Sequence, residues 1–216
     1  ATSSWPDPTP GPREVVVKVA ATSLCGTDAH IYRWDEWAQG RVHPPRIIGH
    51  ELCGHVVEVG HEVSLVNVGD YVAAESHITC GRCFQCRTGQ AHVCKQYRIL
   101  GIDCDGSYAE YVALPESVLW RTAPDIPPEF ACVQEPLGNA VDAALAEDLT
   151  GHTVLVTGCG PTGLFAIAVA RVSGAAVIIA TDTSDYRLGL AKQLGADHTV
   201  NVKTSQPEAV NDAIRE

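Results

Sequence analysis

The feature that most constrains the fold is the segment CGRCFQCRTGQAHVC, residues 80–94, which contains four cysteines. Two residues separate Cys80 from Cys83 and Cys83 from Cys86, and seven lie between Cys86 and Cys94. Two intervening residues let one turn direct both thiols at a common point, and structural zinc takes four such ligands in a tetrahedron. Two disulfides or a set of redox thiols are the alternatives. We interpret the segment as a structural zinc site with no ligand position left for a substrate.

The cysteine count and the charge limit the compartment and the partners. The nine cysteines are an odd number, and the chain does not open with a basic and then apolar leader, so we expect a reducing, cytoplasmic compartment. The net charge of -11 argues against nucleic acid or an anionic membrane as a partner. The sequence contains no run of 18 apolar residues, so we predict no membrane span. The lack of methionine suggests a processed or partial chain, and the five cysteines outside the segment do not by themselves indicate a site.

The first part of the chain has the texture of a β-barrel-like domain. Short segments rich in β-branched and alternating apolar residues predict strands, and glycine turns and prolines separate them. These segments are EVVVKVAATS (14–23), ELCGHVVEVG (51–60), DYVAAESHI (70–78) and GSYAEYVALP (106–115). The predicted fold class is therefore α/β plus β, with a β domain over residues 1–137.

Helices and apolar strands alternate from residue 138 onward. The predicted helices are 138–149, 161–174 and 185–196, with a further helical piece after Pro207, and the predicted strands are 152–158, 175–182 and 198–202. A βαβαβ order predicts a doubly wound parallel sheet whose strands are buried on both faces. We therefore expect a second domain, 138–216, which ends where the second half of such a sheet should begin.

A glycine-rich turn joins the first of these strands to its helix. Gly158, Gly160 and Gly163 form the pattern G-x-G-x-x-G, and Asp182 ends the next strand. Such glycines allow a tight turn against a pyrophosphate, and a carboxylate at that strand end accepts from the ribose 2′-hydroxyl. We predict a dinucleotide site that favours NAD over NADP, although the nearby Arg187 is of the type that accepts a 2′-phosphate.

The C-x2-C-x2-C-x7-C loop resembles the structural-zinc lobe of the zinc-dependent, medium-chain alcohol dehydrogenases. The resemblance implies a GroES-like catalytic domain followed by a Rossmann domain. It also implies a second, catalytic zinc held by Cys25, by His50 of the GHE motif and by Glu135 of QEPLGNAV, with Glu51 as an alternating or neighbouring ligand. Alone, His50 would be interpreted as a core or surface histidine and Cys25 as a small buried residue.

The resemblance also implies a proton relay. Thr27 would take the substrate proton, which would then leave through the cofactor ribose to His30. Thr27 could instead, or also, cap a helix over DAHIYRWDEW.

The resemblance extends to the stretches CGTDAHIYRWDEWAQG, SHITCG and EPLGNAV. It implies oxidation of L-threonine to 2-amino-3-oxobutanoate with NAD, and it implies that His77 tunes specificity. We further hypothesise that Glu51 and Glu135 attract the ammonium group. A polyol or butanediol substrate, and a zinc-binding fragment without turnover, are the alternatives. Family members form homotetramers and extend beyond this C-terminus, so assembly and activity of this length of chain stay open.

Overall fold

The computed structural model describes residues 5–205 together with Asn211 and Arg215. Contacts divide the chain into two compact units, Ala1–Glu135 and Pro136–Glu216. Their assignment as catalytic and cofactor domains stays a prediction. The predicted helical piece after Pro207 lies outside the described residues, apart from those two positions. Within the described part, no helix is both long enough and apolar enough to cross a membrane.

The first unit is built on antiparallel strands, as the alternating pattern predicts. These strands are β1 (Glu14–Thr22), β2 (Leu52–Val59), β3 (Tyr71–Ala74), β4 (His77–Ile78), β5 (Arg98–Ile99), β6 (Tyr111–Pro115) and β7 (Leu119–Arg121). Five of them form one sheet in the order β6-β1-β2-β3-β7, and β4 pairs with β5 separately. Each neighbouring pair is antiparallel.

One face of this sheet forms the core of the first unit. Alternate residues of β1, Val15 and Val17, are fully buried, and they pack with Leu52, Val72 and Leu114 from neighbouring strands. Burying one such side chain stabilises the folded state by roughly 1.5–3 kcal/mol. The loops that leave this sheet therefore start from rigid positions.

Short helices connect the strands of the first unit: α1 (Gly26–Arg33), α2 (Glu36–Arg41), α3 (Phe84–Arg87) and α4 (Pro128–Ala131). The expected helix over DAHIYRWDEW is wrong, because Trp34 adopts a left-handed φ of 50° that ends α1. Asp35 then caps α2 by accepting the Ala38 N–H at 3.0 Å. Thr27 does not cap α1 either, because the cap residue is Cys25.

Parallel strands form the second unit, as predicted. The chain follows the order α5 (Gln134–Ala144), β8 (Thr153–Thr157), α6 (Pro161–Val172), β9 (Val177–Asp182), α7 (Asp185–Gln193) and β10 (His198–Asn201). The sheet order is β10-β9-β8, and both pairs are parallel. The predicted fold class, an antiparallel β unit followed by a parallel Rossmann-type sheet, is confirmed.

Two details of the second unit differ from expectation. Strand β8 is not buried on both faces, since Leu155 is 44% exposed. Its inward residues pack on α6, but β8 is an edge strand with one described neighbour. Helix α5 begins at Gln134 rather than at residue 138. Pro136 is compatible with this earlier start, because it falls in the first turn, where no backbone N–H is needed.

Candidate functional site

The four thiols of the cysteine segment converge as predicted from their spacing. The sulfur atoms of Cys80, Cys83, Cys86 and Cys94 all lie within 4.8 Å of one another. The turn into α3 carries Cys83 and Cys86, with 3.5 Å between their sulfurs. Backbone N–H groups of Cys80 and Gln96 donate to the Cys94 sulfur at 3.4 and 3.3 Å. All nine cysteines of the chain are free thiols, so the disulfide alternative has no support.

The ionisation of this cluster fits a divalent cation. Backbone N–H donors at Cys86 and Lys95 lower the pKa of Cys83 to about 6, which makes it a thiolate at neutral pH. Burial, together with contacts with the Cys83 and Cys94 thiols, raises the pKa of Cys86 to about 12. Several thiolates this close would also repel one another. A soft divalent cation removes that repulsion, and four thiolates are a zinc donor set.

A second cluster lies in the same unit. The thiol of Cys25, the imidazole of His50 and the carboxylate of Glu51 offer ligand atoms within 4.8 Å of one another. Cys25 is the N-cap of α1, and the other two residues directly precede β2. His50 and Glu51 are only 6% and 5% exposed. The structure therefore brings three of the four predicted catalytic-zinc ligands together.

In the second cluster, Cys25 and His50 each favour the charged form of the other. The hydrogen bond to His50 lowers the pKa of Cys25 against the opposing effect of burial. Burial alone lowers the pKa of His50, but Cys25 and the charges of Asp28 and Glu135 together raise it above its ordinary value. The Ser23 hydroxyl donates to the Glu51 carboxylate, which holds this side chain beside the other two. A thiolate, an imidazole and a carboxylate are a donor set suited to zinc.

Glu135 belongs to a third cluster. Its carboxylate groups with Glu75 and His77, again with ligand atoms within 4.8 Å, and at that distance it does not join the group of Cys25 and His50. The Ser76 hydroxyl donates to Glu135 Oε1 at 2.6 Å, and His77 Nδ1 lies 3.9 Å from the same oxygen. Glu75 Oε1 lies 2.7 Å from His77 Nδ1. Helix α5 thus places Glu135 next to His77, the residue expected to tune specificity.

The two predicted relay residues have different surroundings. Thr27 Oγ1 lies 3.6 Å from the Cys25 sulfur, in the first turn of α1. His30, one turn later, is exposed, and its Nδ1 lies 2.5 Å from Asp35 Oδ2. The structure therefore places Thr27 at the second cluster and pairs His30 with a carboxylate on the surface.

Sequence reasoning missed a residue beside the second cluster. Asp28 is buried, and its Oδ2 accepts the Cys25 N–H at 2.9 Å and the Tyr108 hydroxyl at 2.8 Å. Its Oδ1 lies 3.8 Å from His50 Nδ1. The available signal was the pattern of a helix cap followed three residues later by an acid, which marks a reciprocal capping interaction.

The glycine-rich turn has the close packing that its pattern predicts. A Cβ on Gly163 would lie 1.9 Å from the Gly158 carbonyl oxygen, so α6 approaches the turn as only glycine permits. Gly160 is the N-cap of α6, directly before Pro161. Amide groups at such a helix start are suited to phosphate.

Asp182 lies at the carboxyl end of β9 beside this turn. Its Oδ2 accepts the Cys159 N–H at 2.7 Å and its Oδ1 accepts the Ser184 N–H at 2.8 Å. Burial raises the pKa of Asp182, but these backbone donors outweigh burial and lower it below its ordinary value. Arg187 Nη1 lies 4.0 Å from Oδ2. The carboxylate is therefore ionised and fixed, with lone pairs left for a hydroxyl donor.

Both parts of the chain match models of known protein families. Residues 11–125 match the alcohol dehydrogenase GroES-like domain, and residues 161–216 match the zinc-binding dehydrogenase model. L-threonine 3-dehydrogenase from Pyrococcus abyssi is 56% identical over 194 residues, which are 90% of this chain and 56% of that protein.

Solved structures share the fold over almost the whole chain. Galactitol-1-phosphate dehydrogenase from Escherichia coli superposes with a TM-score of 0.87 at 30% identity, covering 100% of this chain and 61% of the other. A short chain alcohol dehydrogenase from E. coli CFT073, complexed with NADH, has a TM-score of 0.86 at 35% identity and covers 96% and 60%. The chain thus spans little more than half the length of the relatives it matches.

Proposed function

Because this chain belongs to the zinc-dependent, medium-chain alcohol dehydrogenase family, we propose that it oxidises the secondary alcohol of L-threonine to 2-amino-3-oxobutanoate with NAD as the hydride acceptor. The observation that carries the proposal is the convergence of the half-buried Cys25 with the buried His50 and Glu51. A thiol, an imidazole and a carboxylate that share one point are ligand types that suit zinc.

Cys25 and His50 would hold the catalytic zinc, with Glu51 or Glu135 completing the protein ligands. Zinc bound there would supply a Lewis acid that lowers the pKa of an alcohol oxygen. Cys80, Cys83, Cys86 and Cys94 would hold the structural zinc, as four closely spaced thiols.

The chain's own polar groups would accept the proton of the substrate and orient the substrate. The Thr27 hydroxyl, 3.6 Å from the Cys25 sulfur, would accept the proton of the alcohol as it releases its own proton along the relay. His30, paired with Asp35 at the surface, would pass it to water. Glu135 and Glu75 supply negative charge around His77, which favours a substrate that carries an ammonium group.

NAD would bind at the turn of Gly158, Gly160 and Gly163. The fixed Asp182 carboxylate accepts from a ribose 2′-hydroxyl and repels a 2′-phosphate. This arrangement supports NAD over NADP, and the similar E. coli CFT073 protein is complexed with NADH.

Threonine is supported by relatives named L-threonine 3-dehydrogenase at 50% to 56% identity. A polyol substrate is the second candidate, because galactitol-1-phosphate dehydrogenase shares the fold over the full chain. The nine free thiols support a reducing, cytoplasmic location. The family resemblance further predicts a homotetramer.

Substrate competition tests the proposal. NADH formation, measured as absorbance, is compared for L-threonine, sorbitol and butane-2,3-diol. We expect the highest kcat/KM for L-threonine, loss of activity in Cys25→Ser, and retention in the control Cys104→Ser, whose thiol belongs to neither cluster. A higher kcat/KM for a diol without an amine contradicts the threonine assignment. Bound zinc with NADH formation at background identifies a binding fragment instead.

A further inference from the structure

Tyr108 connects two parts of the chain that carry the second cluster. Its hydroxyl donates to Asp28 Oδ2 at 2.8 Å, and the Ser23 carbonyl lies within 3.1 Å of the same hydroxyl. Both partners flank Cys25 in sequence. The hydroxyl therefore attaches the segment around residue 108 to the turn that carries the Cys25 thiol.

The same tyrosine also contacts the segment that carries His50. Its backbone N–H donates to the Ile48 carbonyl at 2.9 Å. Its ring lies against Gly49, where an added Cβ would come within 2.4 Å of the Tyr108 Cδ1 atom. Gly49 directly precedes His50, so the ring and the backbone of Tyr108 limit where the imidazole can lie.

The hydroxyl matters because of how the Asp28 carboxylate is shared. Oδ2 accepts from both Cys25 N–H and Tyr108, which fixes the carboxylate plane. Oδ1 then lies 3.8 Å from His50 Nδ1, and both atoms are buried without a hydrogen-bond partner among the described residues. A histidine that ligates a metal through one ring nitrogen needs an acceptor for the N–H of the other.

We propose that Tyr108 is a positioning residue for the metal centre of Cys25 and His50: its hydroxyl holds Asp28 so that the free carboxylate oxygen orients the His50 ring. The proposal rests on the proposed function, because it requires a metal at this cluster. Without the hydroxyl, Oδ2 keeps only the Cys25 N–H, and the carboxylate can rotate away from His50.

The test measures zinc affinity as well as turnover. Zinc alone is titrated into the metal-free protein against a chromophoric chelator, and the phase that Cys25→Ser abolishes is assigned to the second cluster. The variant is Tyr108→Phe, which removes one hydroxyl. The matched control is Tyr111→Phe, whose hydroxyl makes no hydrogen bond among the described residues. Asp28→Asn and the double variant complete a cycle.

We expect Tyr108→Phe to weaken zinc binding in that phase by about tenfold, with the four-cysteine phase and Tyr111→Phe unchanged. Because Tyr108 acts through Asp28, the double variant should bind zinc no more weakly than Asp28→Asn alone. Excess zinc should restore NADH formation in Tyr108→Phe. If the hydroxyl only stabilised the fold, the four-cysteine phase would weaken as well, because both clusters lie in the first unit.

An affinity for Tyr108→Phe within about twofold of wild type, or losses that multiply in the double variant, overturn the proposal. If Tyr108→Phe does not fold, Asp28→Asn decides, and unchanged zinc affinity in that variant overturns the proposal as well. A wild-type protein without any Cys25-dependent zinc phase refutes the proposed function itself. If wild type shows a Cys25-dependent zinc phase and Tyr108→Phe binds zinc in that phase with the same affinity, only the positioning role is refuted.

Discussion

Replacing Gly163 by alanine tests the packing on which the cofactor turn depends. The new Cβ would lie 1.9 Å from the Gly158 carbonyl oxygen and 3.0 Å from its carbonyl carbon, whereas real Cβ contacts essentially never fall below 3.0 Å. The turn and α6 must therefore separate by about 1.1 Å, the difference between 3.0 and 1.9 Å. Both clashing atoms are backbone atoms, so no side-chain rotation relieves the overlap.

The expected cost follows from the kind of clash. Overpacking a well-packed interior costs typically about 1–3 kcal/mol, and a backbone clash belongs at the upper end, at about 3 kcal/mol. The control is Gly189→Ala in α7, where an added Cβ meets nothing within 4 Å. Alanine within a helix stabilises by roughly 0.5–1 kcal/mol relative to glycine. The same substitution should therefore have opposite signs at the two positions.

Hydrogen exchange of the β9 amides, Val177–Asp182, is the appropriate assay. The four tryptophans, at positions 5, 34, 37 and 120, all belong to the first unit, so their fluorescence does not report directly on the second. Gly163→Ala should speed exchange in β9 and weaken NADH binding, and Gly189→Ala should slow exchange without weakening NADH binding. Equal exchange rates for Gly163→Ala and wild type would refute the packing argument.

Metal removal, cofactor choice and acid sensitivity give three further tests. Cys83→Ser and Cys25→Ser should each lose one of two zincs by elemental analysis, and loss of both from Cys25→Ser alone would contradict independent sites. Asp182→Ser should raise the affinity for NADPH relative to NADH by about tenfold, since it removes a charge that repels the 2′-phosphate; an unchanged ratio in fluorescence titrations would contradict that role. Glu116→Gln should destabilise the first unit at pH 7 by about 2 kcal/mol, because hydrogen bonds from the Ser64 and Leu65 N–H groups lower the pKa of this buried carboxyl. That contribution is present above the unfolded pKa of Glu116 and is lost as the pH falls through its lowered folded pKa, so the difference between variant and wild type in denaturant titrations should shrink in acid; a constant difference would contradict the reasoning.

Local sequence patterns predicted the parts of the site that are formed locally. The convergence of the four thiols follows from a spacing that allows one turn to direct neighbouring sulfurs inward. The turn before α6 follows from its three glycines between an apolar strand and a helix. In both cases, all of the residues that determine the geometry lie within one short segment.

Local patterns did not predict the contacts between residues that are far apart in the sequence. Glu135 lies with Glu75 and His77 because α5 begins earlier than its apolar pattern indicates, and no local rule connects residue 75 to residue 135. Likewise, the partnership of Asp28 with Tyr108 depends on a fold that brings a late segment against the start of α1. The end of α1 was also missed, because Trp34 ends this helix with a left-handed backbone conformation that is rare for a non-glycine residue.

The hydrogen bond between Tyr108 and Asp28 joins residues 80 positions apart, whereas Cys80 and Cys94 are separated by only 14. Closing the longer loop costs more chain entropy, and it requires most of the first unit to have been synthesised. During biosynthesis we therefore expect residues 80–94 to bring their four thiols together within one short segment, whereas the contact between Asp28 and Tyr108 must await synthesis of the segment around residue 108.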